Sequence, residues 1–189
     1  MSVHRRMSIA VATLAVALLS ACGTPAATTP TDAHTDDTST LVLAAPELDA
    51  DGYLPDSARG NVEQYCGDGE NVSPLLEWTG VPQGTESFVL LMTDPNYPSY
   101  IHWVVTGIPA GATALPAAAD GMVELGVVGT NSRGAGNYVG PCVADNGYLY
   151  TLYALDAEIV GDEATTLIGA TGLMEGHVLA EASVEVMRR

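Results

Sequence analysis

The chain contains no lysine, and its six basic residues, all arginines, face 23 Asp and Glu. Beyond residue 21 only four arginines remain against all 23 acids, a formal charge of −19. That balance leaves no basic footprint, so nucleic acid is excluded as a partner. It equally excludes adsorption to anionic lipid through a polybasic face, so membrane attachment has to come from acyl chains. The acidity suits solubility at a cell surface. Metal spacings are missing too: no Cys-x-x-Cys, His-Glu-x-x-His or calcium loop occurs, and neither a metal site nor a cofactor is expected. No Gly-x-Ser-x-Gly elbow is present. The glycines of Gly134 to Gly140 do not match a phosphate-cradling loop that opens a helix.

What is present begins with Arg5 and Arg6, followed by an uncharged apolar run from Ile9 to Leu19. A bilayer-spanning helix needs about 20 apolar residues, so this run reads as the core of an export signal. It ends in Leu19-Ser20-Ala21-Cys22, which resembles a bacterial lipobox. The expectation is a signal peptide at 1–21, cut before Cys22, with the Cys22 thiol lipidated at the extracytoplasmic face of the cell membrane. An ordinary secretory signal with a coincidental Cys is the alternative. Residues 22–40, rich in Thr, Pro, Ala and Asp, cannot bury enough surface to offset their conformational entropy and are expected to form a disordered tether. Residues 41–189 suit one domain with its own core.

With Cys22 assigned to lipid, Cys66 and Cys142 remain. An oxidising compartment favours a disulfide between them, the alternative being two buried thiols. Frequent Pro and Gly and short apolar segments indicate a mainly β domain. The runs 87–93, 101–106 and 148–155 predict central strands, with weaker candidates at 41–43, 75–78 and 123–128. Helices are expected at 163–170, capped by Asp162, and at 173–181, with 183–187 returning to the sheet by its period of two. Loops are expected at 51–74, 94–100, 107–121 and 129–147.

Two histidines, His102 and His177, fall in the expected domain. Asp94 closes one central strand and His102 opens the next, so a short loop brings their side chains together. Gly140-Pro141-Cys142 and Asn146-Gly147-Tyr148 precede the third central strand. An imidazole, a phenol and loop N–H groups suit a phosphate or carboxylate oxygen. Asp94 repels a plain anion unless it is protonated or meets a cationic group on the same ligand, and a zwitterionic headgroup resolves that conflict. His102 is expected to gain charge as pH falls through about 6.5. Each residue also has a plainer reading: His102 as a core histidine on a backbone carbonyl, Asp94 as a turn residue, Tyr148 as a sheet aromatic. His177 is assigned to structure on a late helix, and Trp78, Trp103, Tyr150 and Tyr153 to the core.

The segments Asn71 to Thr85, Asp94-Pro-Asn-Tyr-Pro98, His102-Trp-Val-Val105, Gly140-Pro-Cys142, Tyr150 to Asp156 and Glu175 to Ala180 occur in one order. Together they resemble the phosphatidylethanolamine-binding protein family, in its bacterial Raf kinase inhibitor-like branch. The resemblance implies a β-sandwich of two antiparallel sheets with Greek-key connections and short flanking C-terminal helices. It also implies a small pocket for phosphate or a phospholipid headgroup, to which Asp94, Pro98, His102, Gly140 and Tyr148 correspond. The family's second pocket histidine falls on Asn146 and its arginine on Gly147, which removes a cationic donor.

Three functions follow as expectations. The first is a non-enzymatic module binding a small anionic or zwitterionic ligand on the envelope. The second is a regulator of an envelope protease or kinase that uses the pocket as a docking site. The third, ranked last, is a hydrolase built on His102 and Asp94, for which no nucleophile is evident if Cys142 is oxidised.

Overall fold

The structure, a computed structural model, describes residues 40–61, 66–67, 69–119 and 125–189. The expected signal peptide, the expected lipidation site Cys22 and nearly all of the expected tether lie outside the described residues, as does the first part of the weak strand candidate at 123–128. In chain order the elements are β1 (Val42–Ala44), β2 (Leu76–Thr79), β3 (Ser87–Asp94), β4 (Tyr97–Pro109), β5 (Ala114–Leu115), β6 (Val127–Val128), β7 (Asn146–Leu155), α1 (Leu167–Met174) and β8 (Val178–Arg188).

Two antiparallel sheets result, one ordered β1-β2-β5 and the other β6-β4-β3-β7-β8. The mainly β sandwich expected from the sequence is what forms. The continuous apolar run in β3 has a direct cause, because that strand is covered on both faces. Phe88, Leu90 and Met92 join Leu43, Leu76 and Trp78 in the core between the sheets, while Val89 and Leu91 face the outer layer with Ala170 and Met174 of α1. Trp78 and Phe88 meet across the sandwich with ring centroids 5.4 Å apart. Each such apolar side chain taken fully from water contributes about 1.5–3 kcal/mol. Trp103 and Tyr150 are buried in the same core as Trp78, whereas Tyr153 is half-buried against the outer layer.

Five expectations need correction. The loop expected at 94–100 is a tight hairpin: Asp94 pairs with Tyr97, and β4 begins at once. The loop expected at 107–121 holds the end of β4 and the short β5. The first helix starts at Leu167, not Glu163. Asp162 instead closes a turn, accepting from the Ala164 N–H (3.1 Å) and the Thr165 hydroxyl (3.0 Å). Thr166 is the cap, its hydroxyl accepting from the Gly169 N–H, and the helix runs past Gly172 to Met174. The helix expected at 173–181 does not form. Gly176 takes a positive φ of 83°, which ends the helical path, and β8 pairs with β7 from Val178 onward. His177 therefore sits in the turn before β8, not on a helix, with Nδ1 2.9 Å from Asp156 Oδ1.

Candidate functional site

The β3–β4 hairpin and the start of β7 bring three sequence-selected side chains to one end of the larger sheet. Asp94 ends β3, His102 lies in β4 and Tyr148 in β7, and all three line one cavity of about 200 Å³. Asp94 is 4% exposed and His102 is 5% exposed. The His102 ring lies edge-on to Tyr148, centroids 5.0 Å apart, and tilted against Tyr100 at 4.8 Å.

Each of the three also keeps a structural bond. Asp94 Oδ1 accepts the Asn96 N–H at 2.8 Å, the bond of a turn-forming aspartate. His102 Nδ1 lies 2.7 Å from the Val139 carbonyl oxygen. A carbonyl can only accept, so Nδ1 carries the proton and the neutral ring leaves Nε2 as an acceptor. Among the described residues Nε2 has no partner. The Tyr148 hydroxyl oxygen accepts the Val143 N–H at 3.1 Å. Burial holds the His102 imidazole below its ordinary pKa; the Val139 bond and Asp94 pull it back up, and Arg133 pushes it further down. His102 thus gains its charge below 6.5, not at it, which corrects the sequence expectation.

Pro98, Gly140 and Asn146 do not line the cavity. Pro98 is exposed on β4. Asn146 donates from Nδ2 to Asp94 Oδ2 at 3.1 Å and accepts from the Asn96 side chain, so it positions the carboxylate. Gly140 gives its N–H to Asn71 Oδ1 at 2.8 Å and leaves none for a ligand. A Cβ there would lie 2.5 Å from the Ala58 carbonyl oxygen and from the Gly60 nitrogen, so glycine is needed for a close backbone crossing. Cys66 and Cys142 are joined in a disulfide, and Cys142 contributes to the cavity wall.

Sequence reasoning missed Arg133, Tyr97, Tyr100 and Val143, all of which line the cavity. Arg133 matters most, because it restores a cation that Gly147 had removed from its expected place. Buried Asn131 aims it: Asn131 Oδ1 accepts the N–H of Arg133 (2.8 Å) and of Ala135 (3.3 Å), closing an Asx turn. The guanidinium donates from Nε to the Tyr100 hydroxyl (3.3 Å) and lies with Nη2 3.6 Å from Cys142 Sγ. Its scarcity was the available signal, since only four arginines follow residue 21. Among the described residues, no cluster of three or more His, Cys, Asp or Glu could hold a metal.

The chain resembles several known proteins. A UPF0098 protein of Methanothermobacter thermautotrophicus is 37% identical over 134 residues, spanning 67% of this chain and 89% of that one. LppC of Mycobacterium tuberculosis, provisionally named a lipoprotein, is 32% identical over 155 residues, spanning 78% of this chain and 72% of its own length. The crystal structure of Escherichia coli YbcL, described as a new member of the mammalian PEBP family, superposes with a TM-score of 0.70 at 26% identity. It covers 79% of this chain and 98% of YbcL. The profile of the phosphatidylethanolamine-binding proteins matches residues 44–189, so the chain belongs to the phosphatidylethanolamine-binding protein family.

Proposed function

We propose that this protein is a non-enzymatic binding module of the cell envelope whose cavity takes a small phospho-headgroup, phosphoethanolamine-like and zwitterionic. One observation carries the reading: a buried carboxylate, Asp94, and an arginine, Arg133, line the same cavity of about 200 Å³. A plain anion satisfies Arg133 and meets repulsion from Asp94. A ligand bearing both charges satisfies both. Binding is favoured over turnover because Cys142, the thiol in the wall, is tied in the disulfide and gives His102 no nucleophile to activate. The lipobox-like Leu19 to Cys22 and the likeness to LppC support an envelope location.

A docking role toward an envelope protein is the second reading. Tyr97, 65% exposed, and Val143, 54% exposed, form an apolar rim at the cavity mouth that suits a protein surface. Amide and side-chain NMR of the labelled full chain, titrated with phosphoethanolamine, separates the two. The headgroup reading expects saturable shifts at Tyr100, His102, Arg133 and Tyr148. If millimolar ligand moves none of these, the headgroup reading fails and the docking reading takes its place.

A further inference from the structure

The Cys66–Cys142 bridge is unlike a disulfide sealed in a core. Cys66 is 1% exposed, whereas Cys142 is half-buried and forms part of the wall of an open cavity. Backbone closes another side of the bridge: a Cβ on buried Gly60 would lie 2.8 Å from Cys142 Sγ and 2.9 Å from Cys66 Sγ. A thiol arriving from solvent therefore meets Cys142 and finds Cys66 covered. Access of this kind helps decide which sulfur of a disulfide is attacked.

The charges around the bridge are as unequal as the access. Only four arginines follow residue 21, against 23 acids. Two of the four converge on Cys66. Arg133 holds Nη2 3.9 Å from Cys66 Sγ and 3.6 Å from Cys142 Sγ, and Arg188 donates from Nη2 to the Cys66 carbonyl oxygen at 2.8 Å. A guanidinium beside sulfur favours the thiolate over the thiol. On the Cys142 side the Gly140 carbonyl oxygen lies 3.7 Å from Sγ and opposes negative charge there. The better-stabilised thiolate is the better leaving group, so charge and access both assign departure to Cys66.

We propose that this disulfide is a thiol-exchange site, attacked at Cys142 by a small thiol, with Cys66 as the leaving group. The incoming thiolate forms a bond to Cys142 Sγ, the Cys66–Cys142 S–S bond breaks, and its electron pair leaves on Cys66 Sγ beside Arg133. One disulfide is consumed and one is formed. The small thiol supplies the electrons, so no further oxidant or reductant enters. The product carries its adduct on Cys142, in the cavity wall, and a Cys66 thiolate next to a guanidinium. The proposal is independent of the headgroup reading, because it uses neither Asp94 nor His102.

Peptide mapping by mass spectrometry tests this on the folded full chain, exposed briefly to 2-mercaptoethanol and then to N-ethylmaleimide to trap free thiols. With no lysine in the chain, tryptic cleavage after arginine puts Cys22, Cys66 and Cys142 on separate peptides, 7–59, 60–133 and 134–188. The mercaptoethanol adduct is expected on Cys142 and the maleimide on Cys66, in at least about tenfold excess over the reverse. The rate is expected to stay constant in urea below the unfolding transition. Arg133→Gln is expected to slow exchange at least about threefold, and Arg133→Lys to recover most of the loss. An adduct on Cys66, or an even split, overturns attack at Cys142. Exchange only as the chain unfolds, with a rate that climbs with urea, overturns the site and leaves a structural cross-link. Arg133→Gln as fast as the parent overturns the part given to the guanidinium.

Discussion

His102 and Val139 grip each other from both sides: the Val139 N–H donates to the His102 carbonyl at 3.0 Å, and His102 Nδ1 donates to the Val139 carbonyl at 2.7 Å. The first bond ties the 130–139 loop to β4. The second selects the tautomer, and so decides what the ring offers to the cavity. One backbone register thus sets both the shape of the site and its hydrogen-bonding sense.

This pairing has a consequence in pH. The folded His102 pKa lies below the unfolded value of 6.5, chiefly through burial. As pH falls the unfolded chain takes up the proton first. The stability contributed by neutral His102 is full above 6.5 and is lost as pH falls through the folded value. The difference in urea stability between the protein and His102→Gln is expected to shrink with falling pH in that window, by at most about 1.4 kcal/mol per pH unit. A difference that grows on acidification contradicts the neutral, carbonyl-bound ring.

Asp94→Asn separates function from stability. The replacement keeps an oxygen for the Asn96 N–H and removes an uncompensated buried charge. Its unfolding free energy is expected to stay within about 1 kcal/mol of the parent or to rise, while phosphoethanolamine binding falls. A large loss of stability would instead identify the Asn146 Nδ2 bond to Asp94 Oδ2, which an amide nitrogen cannot accept, as structural, and thermal or urea denaturation measures this directly.

The Cys66–Cys142 disulfide closes 76 residues of chain. In the chain-entropy description, replacing both cysteines by serine destabilises by about 4 kcal/mol. Urea unfolding of the double variant beside the parent checks this, and matching midpoints would show that the cross-link adds nothing to equilibrium stability.

Gly140→Ala is expected to cost roughly 1–3 kcal/mol, because the new methyl group meets the Ala58 and Gly60 backbones, which cannot swing aside as a side chain can. Urea unfolding is again the measurement. A variant as stable as the parent would mean that the crossing of these two segments has slack.

The core strands were legible because burial on two faces writes continuous apolar runs, as in Phe88 to Met92, and such runs need no knowledge of partners. The second helix was misread for an equally physical reason. Leu173 to Glu181 carries good helix formers, but Gly176 takes a left-handed turn, and the alternation Val178, Ala180, Ala182, Val184, Val186 already belongs to β8. Small alanines made that alternation faint. Within the site, Asp94, His102 and Tyr148 were legible because they end or open visible strands. Gly140 and Asn146 lie outside the cavity wall, and their bonds to Asn71 and Asp94 depend on tertiary neighbours that the sequence does not show. Arg133 was hidden because a loop residue 31 positions from His102 acquires its place only through Asn131 and the strand it packs on.

A crystal structure of the protein with phosphoethanolamine tests the central claim most directly, since phosphorus scatters strongly and marks where the ligand sits. The expected result is phosphoethanolamine bound in the cavity lined by Asp94, His102, Tyr148 and Arg133. A cavity left empty at saturating ligand would contradict the binding function.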